Sequence, residues 1–158
     1  MKRVRKYKVS DAQRIRLHSV YRMLAIRYLK LGNSNKAKEI LDKHLKSILL
    51  TSYKSVEFQI LELLALSETC ACIDSDKRLK VLEVALDLLS RNSKIAPELQ
   101  GEVFLELAHC YVQLKDYNKA HVYIKKAEEL LPIMYLGCPE ERLDILREME
   151  ELYIQIKE

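Results

Sequence analysis

Residues 104–132 read FLELAHCYVQLKDYNKAHVYIKKAEELLP, and this stretch decides the fold. Counted from Ala108, Phe104 and Leu107 lie at −4 and −1, Tyr111 at +3, Tyr117 at +9, Ala120 at +12, Ala127 at +19 and Pro132 at +24. Apolar residues three and four apart give a helix one buried face. The spacing predicts a helix over about 97–114 and another over about 117–131.

Upstream, the pattern repeats around Ala25, with Tyr21 at −4, Leu24 at −1, Tyr28 at +3, Gly32 at +7 and Ala37 at +12. It departs at Ser34, His44 and Leu49, where the later stretch has Tyr117, Ala127 and Pro132. Between the two lies a degenerate copy anchored on Ala65, with Leu61 and Leu64 in place. There Glu68 and Lys77 do not fit, and Ala85 falls one residue late. The anchors are 40 and 43 residues apart. A generic helical bundle is the simpler alternative, and one weak copy would not exclude it; a near-complete copy with a good second one favours repetition.

The three helix pairs resemble the tetratricopeptide repeat, a helix–turn–helix unit of about 34 residues. The resemblance covers about residues 18–134. It implies an all-α solenoid of stacked antiparallel pairs, a TPR-like superhelix of about seven helices. The expected organisation is a basic, flexible arm over 1–10, then three pairs within 11–134, at about 11–50, 54–90 and 97–131. A C-terminal capping helix over 139–157 completes it. The concave face of such a superhelix is lined at −3, +1, +4 and +5 from each anchor. That frame implies a peptide groove of Arg22, Ile26, Leu29 and Lys30, then Glu62, Leu66, Thr69 and Cys70, then Leu105, His109, Val112 and Gln113. The implied function is a non-enzymatic adaptor that binds a protein or peptide segment with apolar anchors and acidic character. A carboxylate of that segment would lie near Arg22. The repeat subtype that clamps a C-terminal carboxylate has an asparagine where this chain has Ile26, which argues against that mechanism.

Composition agrees with a helical scaffold. Three Gly, three Pro and no Trp among 158 residues leave too few turn-formers for a β-sandwich or barrel. They also leave no glycine-rich loop to cradle a phosphate. The four cysteines, Cys70, Cys72, Cys110 and Cys138, form no CxxC pair, so neither a zinc site nor a disulfide framework is expected. His109 and Cys110 are sequence neighbours, which point about 100° apart on a helix and cannot act as base and nucleophile. His109 and His121 are two ligands at most. No enzyme, cofactor or metal is expected, and a reduced, cytoplasmic protein without a membrane span is the expectation.

The charge is polar along the chain. A net charge of +4 divides into +9 over residues 1–30 and −5 over the rest. Lys2, Arg3, Arg5, Lys6 and Lys8, with Arg14 and Arg16, make a basic patch. It supports the alternative of a nucleic-acid-associated or peptide-sensing regulator, or a fragment of one, with weak and salt-dependent phosphate contacts. A homo-oligomer is a further expectation, in which the acidic last helix (Glu140, Glu141, Asp144, Glu148, Glu150, Glu151) of one copy meets the basic first helix of another.

Overall fold

The computed structural model describes residues 11–53 and 55–157, with side chains from residue 18 onward. Seven α-helices account for nearly all of them: α1 (Asp11–Lys30), α2 (Ser34–Leu50), α3 (Val56–Ala71), α4 (Ser75–Arg91), α5 (Pro97–Gln113), α6 (Tyr117–Leu130) and α7 (Pro139–Lys157). A single 3₁₀ turn, Leu131–Ile133, follows α6, and the described residues contain no strand. The fold is therefore all-α, with neighbouring helices packed as the pairs α1–α2, α3–α4 and α5–α6.

Four of the turns are punctuated by a side chain that satisfies an orphan helix N–H. Asn33 accepts from Lys36 N (3.1 Å), Ser55 from Phe58 N (3.2 Å) and Asp116 from Lys119 N (3.2 Å). Asp74 accepts from both Asp76 N and Lys77 N. The α5 helix has no side-chain cap and instead opens on Pro97 and Glu98, a pre-set φ followed by an acid at the positive end of the helix dipole.

Ala25, Ala37, Ala108, Ala120 and Ala127 are all fully buried, as expected where helices approach closely. Two apolar clusters meet at α5. Leu107, Cys110 and Tyr111 join the core made with α1 to α4, while Leu105 and Ala108 join the one made with α6 and α7. Gly101 lies at a close contact that the sequence spacing does not disclose. A Cβ there would sit 2.4 Å from Cε of Met134, a fully buried side chain that follows the 3₁₀ turn.

The middle pair is built in a different register from the one its alanine suggests. In the outer two pairs a residue with positive φ, Gly32 (77°) or Lys115 (61°), widens the turn. Asn33 N then reaches back to Tyr28 O, and Asp116 N to Tyr111 O, five residues each. In the middle turn Asp74 N bonds Cys70 O, only four residues back, and no residue has positive φ. Three residues link the helices in every pair, but the hydrogen-bonded loop that closes the middle turn is one residue smaller. The buried small residue of α3 is consequently Ser67, which is fully buried, whereas Ala65 is exposed. Ala85 then occupies the place of Ala127, and Arg78 the place of Ala37 and Ala120, as its bond from Arg78 N to Asp74 O shows.

Candidate functional site

The odd-numbered helices form a continuous row, since α1 packs on α3, α3 on α5 and α5 on α7. The even-numbered helices make at most marginal contact with one another. Stacked units that are closer along one row curve toward it, so the odd helices line the inner surface.

Between α1 and α3 that surface sinks into a hollow of about 330 Å³. Phe58, Leu61 and Ala65 form its apolar wall, and Glu62 and Thr69 also line it, though both are largely buried. Arg22 is exposed at its rim and makes no ion pair among the described residues. Further along α1, Ile26 and Leu29 are half-buried and Lys30 is exposed. The floor is polar. His18 Nε2 lies 3.0 Å from Glu62 Oε1, and His18 Nδ1 contacts His44 Nε2. His44 is stacked on Tyr21, with centroids 5.0 Å apart. Burial, with a smaller contribution from His18, pushes its pKa down from 6.5 to about 3. Its Nδ1 is buried without a hydrogen-bond partner, so a proton added there would meet no acceptor.

A second hollow, about 270 Å³, lies where α3, α5 and α7 meet. Leu64, Leu105 and Ile145 make its apolar part, and Glu68, Glu102, Glu106 and Glu148 make its polar part. Two of these acids are paired. Glu106 accepts from Arg78 at 2.8 Å, and Glu148 lies 2.8 Å from His109 Nε2. Burial raises the Glu102 carboxyl above its ordinary value, and Glu106, Glu148 and Glu68 add to that; the Tyr135 hydroxyl, donating at 3.2 Å, opposes it. Beyond the hollow, Val112 is half-buried. Gln113 is exposed but tied down, donating to Ala71 O (3.2 Å) and accepting from Arg78 (3.3 Å). The inner surface thus changes sign, cationic beside α1 and acidic toward α7.

The tighter middle turn has a consequence for the groove frame. Leu66 faces the core at 1 % exposure and is closed to any ligand; Cys70 is likewise buried. Counted from Ser67, the frame falls on Leu64, Glu68, Ala71 and Cys72; Leu64 is buried like Leu105, Ala71 half-buried like Val112 and Cys72 exposed like Gln113, while Glu68 is more exposed than His109. Leu105 reaches only the floor of the second hollow. Lys2, Arg3, Arg5, Lys6 and Lys8 lie outside the described residues, as do the side chains of Arg14 and Arg16. The acids of the second hollow did carry a sequence signal. Glu98, Glu102 and Glu106 follow one another at four-residue intervals on one face of α5. His18, His44 and Glu62 carried none, because only tertiary packing brings them together.

The remaining chemical candidates disperse. His109 pairs with Glu148 while His121 lies edge-on to Tyr153, so the two do not converge. Cys70 and Cys110 are buried, and burial pushes the Cys70 thiol up to about 12 and raises that of Cys110. Among the described residues, no three His, Cys, Asp or Glu side chains are placed to hold a metal ion. No helix among them is long and apolar enough to cross a membrane.

No curated protein and no solved structure matches the chain. Residues 101–132, which span most of α5 and all of α6, match the tetratricopeptide repeat family. With Ala108, Ala120 and Ala127 buried at its anchors, the α5–α6 pair is a tetratricopeptide repeat.

Proposed function

We propose that the chain is a non-enzymatic adaptor that holds a protein or peptide segment along its inner row of helices. The repeat at residues 101–132 supports a role in contacts between proteins. The observation that carries the reading is the hollow between α1 and α3. It joins an apolar wall to Arg22, a cation without an ion pair among the described residues. A segment with an apolar anchor beside a carboxylate fits that combination, the anchor leaving water and the carboxylate accepting from the guanidinium. Farther along, Glu68 and Glu102 favour basic residues in the same segment, so acidic character is expected only at its α1 end. The thiols of Cys70, Cys72, Cys110 and Cys138 are all free, which suits a reducing cytoplasm.

Reversing the cation at the rim and placing a charge one turn further along α1 tests this directly. The double variant Arg22→Glu with Ile26→Asp is expected to lose capture of the native partner from host extract while keeping wild-type helicity by circular dichroism. Capture by the folded variant at the wild-type level would remove the α1–α3 hollow from the account.

A further inference from the structure

Two other apolar stripes are exposed among the described residues, one on α1 and one on α7. On α1, Val20, Met23 and Leu31 are exposed, at 50 %, 68 % and 74 %, and share one helix face with Arg27. Leu31 continues the helical phase through its N–H bond to Arg27 O (3.0 Å). On α7, Leu143, Leu146 and Ile154 are exposed and share a face with Glu150. The two stripes have the same spacing, with steps of three, four and four residues, and in each the third position is the charged one. That charge is a cation on α1 and an anion on α7. Neither Arg27 nor Glu150 makes an ion pair among the described residues. Beside the α7 stripe, an open trough of about 820 Å³ runs between α6 and α7, lined in part by Leu146, Glu150 and Ile154.

We propose that these stripes are the two halves of a head-to-tail contact, in which α1 of one copy lies parallel to α7 of a second. Parallel alignment sets each apolar residue against its counterpart and Arg27 against Glu150. Antiparallel alignment would instead bring Arg27 toward Arg147, a like-charge approach. The helices around the stripes carry opposite net charge as well: +4 over residues 11–30 and −3 over residues 139–157. That complementarity identifies a second copy of this chain as the occupant. The two surfaces differ, so the contact is heterologous and does not close on itself; copies add in a row. One helix face per partner is smaller than the roughly 800 Å² of a standard stable interface, so the association is weak and dependent on concentration. It involves neither the α1–α3 hollow nor Arg22, and it stands or falls separately from the inner-row reading.

Sedimentation velocity of the full chain, from about 5 to about 300 µM in low salt, reads it out. Wild type is expected to gain mass steadily with concentration, and less so in about 0.5 M salt, where exposed charges are screened within a few ångströms. R27E and E150R each place like charges in the centre of the contact and are expected to weaken association about tenfold or more. The R27E/E150R double variant restores opposite charges in reversed order, an equimolar mixture of the two single variants alternates native and reversed contacts, and both are expected to regain growth. Circular dichroism checks that all variants are folded; these are exposed positions. A wild type that remains monomeric throughout overturns the proposal and leaves the stripes to another occupant. Single variants that associate like wild type overturn it too. If the singles lose growth and neither the double variant nor the mixture regains it, the parallel pairing of Arg27 with Glu150 is wrong.

Discussion

Lowering the pH from 7 to 5 is expected to cost the native state about 2 kcal/mol through His44 alone, at about 1.4 kcal/mol per pH unit below the pKa of the unfolded chain. In the native state the imidazole stays neutral down to about 3, against 6.5 in its ordinary state. Below 6.5 the unfolded chain therefore binds a proton that the folded chain refuses. Stability is full above that value and declines as pH falls toward 3, the sign for any group whose folded pKa is depressed. The cause is geometric. His44 packs on Tyr21 between α1 and α2, with Nδ1 in an apolar setting and Nε2 spent on His18. His44→Phe keeps the ring on Tyr21 and removes the proton site. Urea unfolding of the two proteins at pH 7, 6 and 5 isolates the effect, because the carboxylates they share cancel. The wild type is expected to lose about 2 kcal/mol more than the variant by pH 5. Parallel pH profiles would mean that His44 titrates normally in the folded state.

The second large effect concerns Arg78, which stands where the other two pairs have a buried alanine. An arginine is tolerated there because its stem is buried while its guanidinium reaches α5, bonding Glu106 (2.8 Å) and Gln113 (3.3 Å). Removing the acid leaves a cation with about 10 % side-chain exposure and only a neutral acceptor. Breaking a fully buried pair from one side costs roughly 3–5 kcal/mol. Glu106 keeps 23 % exposure, so water recovers part of the loss and Glu106→Ala is expected to cost about 2–3 kcal/mol. Replacing both partners, Arg78→Met with Glu106→Leu, exchanges the pair for apolar packing and is expected to be close to neutral. Chemical denaturation of the wild type, Arg78→Met alone, Glu106→Leu alone and the double variant closes the cycle. Additive single effects would show that the pair carries no coupling.

The outer pairs were legible because their small residues are spaced by the packing itself. Ala25 with Ala37, and Ala108 with Ala120 and Ala127, are buried where the backbones approach, and few other residues would fit there. The α3 helix is different. Leu61, Leu63, Leu64 and Leu66 put apolar side chains on every side of it, so no single face stands out. Its mid-helix alanine, Ala65, is exposed on the inner surface, while Ser67 takes the buried position and hydrogen-bonds Leu64 O (2.7 Å). A serine that caps its own polarity reads as surface in a sequence and as core in the fold. The tighter hydrogen-bonded loop of the next turn then shifts the groove frame, which is how Leu66 came to be expected at the surface. The polar floor and the acidic hollow depend on residues from different helices, such as His18 with His44 and Glu68 with Glu148. No local spacing encodes those meetings.

The claim on which the functional reading depends is that partners are held by the odd-numbered helices. A photoreactive phenylalanine analogue placed singly at Leu61 or Ala65 on the inner surface, or at Lys46 or Asn118 on the even-numbered helices, tests it in the native host. All four positions are exposed, so the incorporated group is accessible in each case. On illumination, the inner positions are expected to cross-link one common partner species and the outer positions none. Cross-linking of that partner from Lys46 or Asn118 alone, with Leu61 and Ala65 silent, would contradict the account.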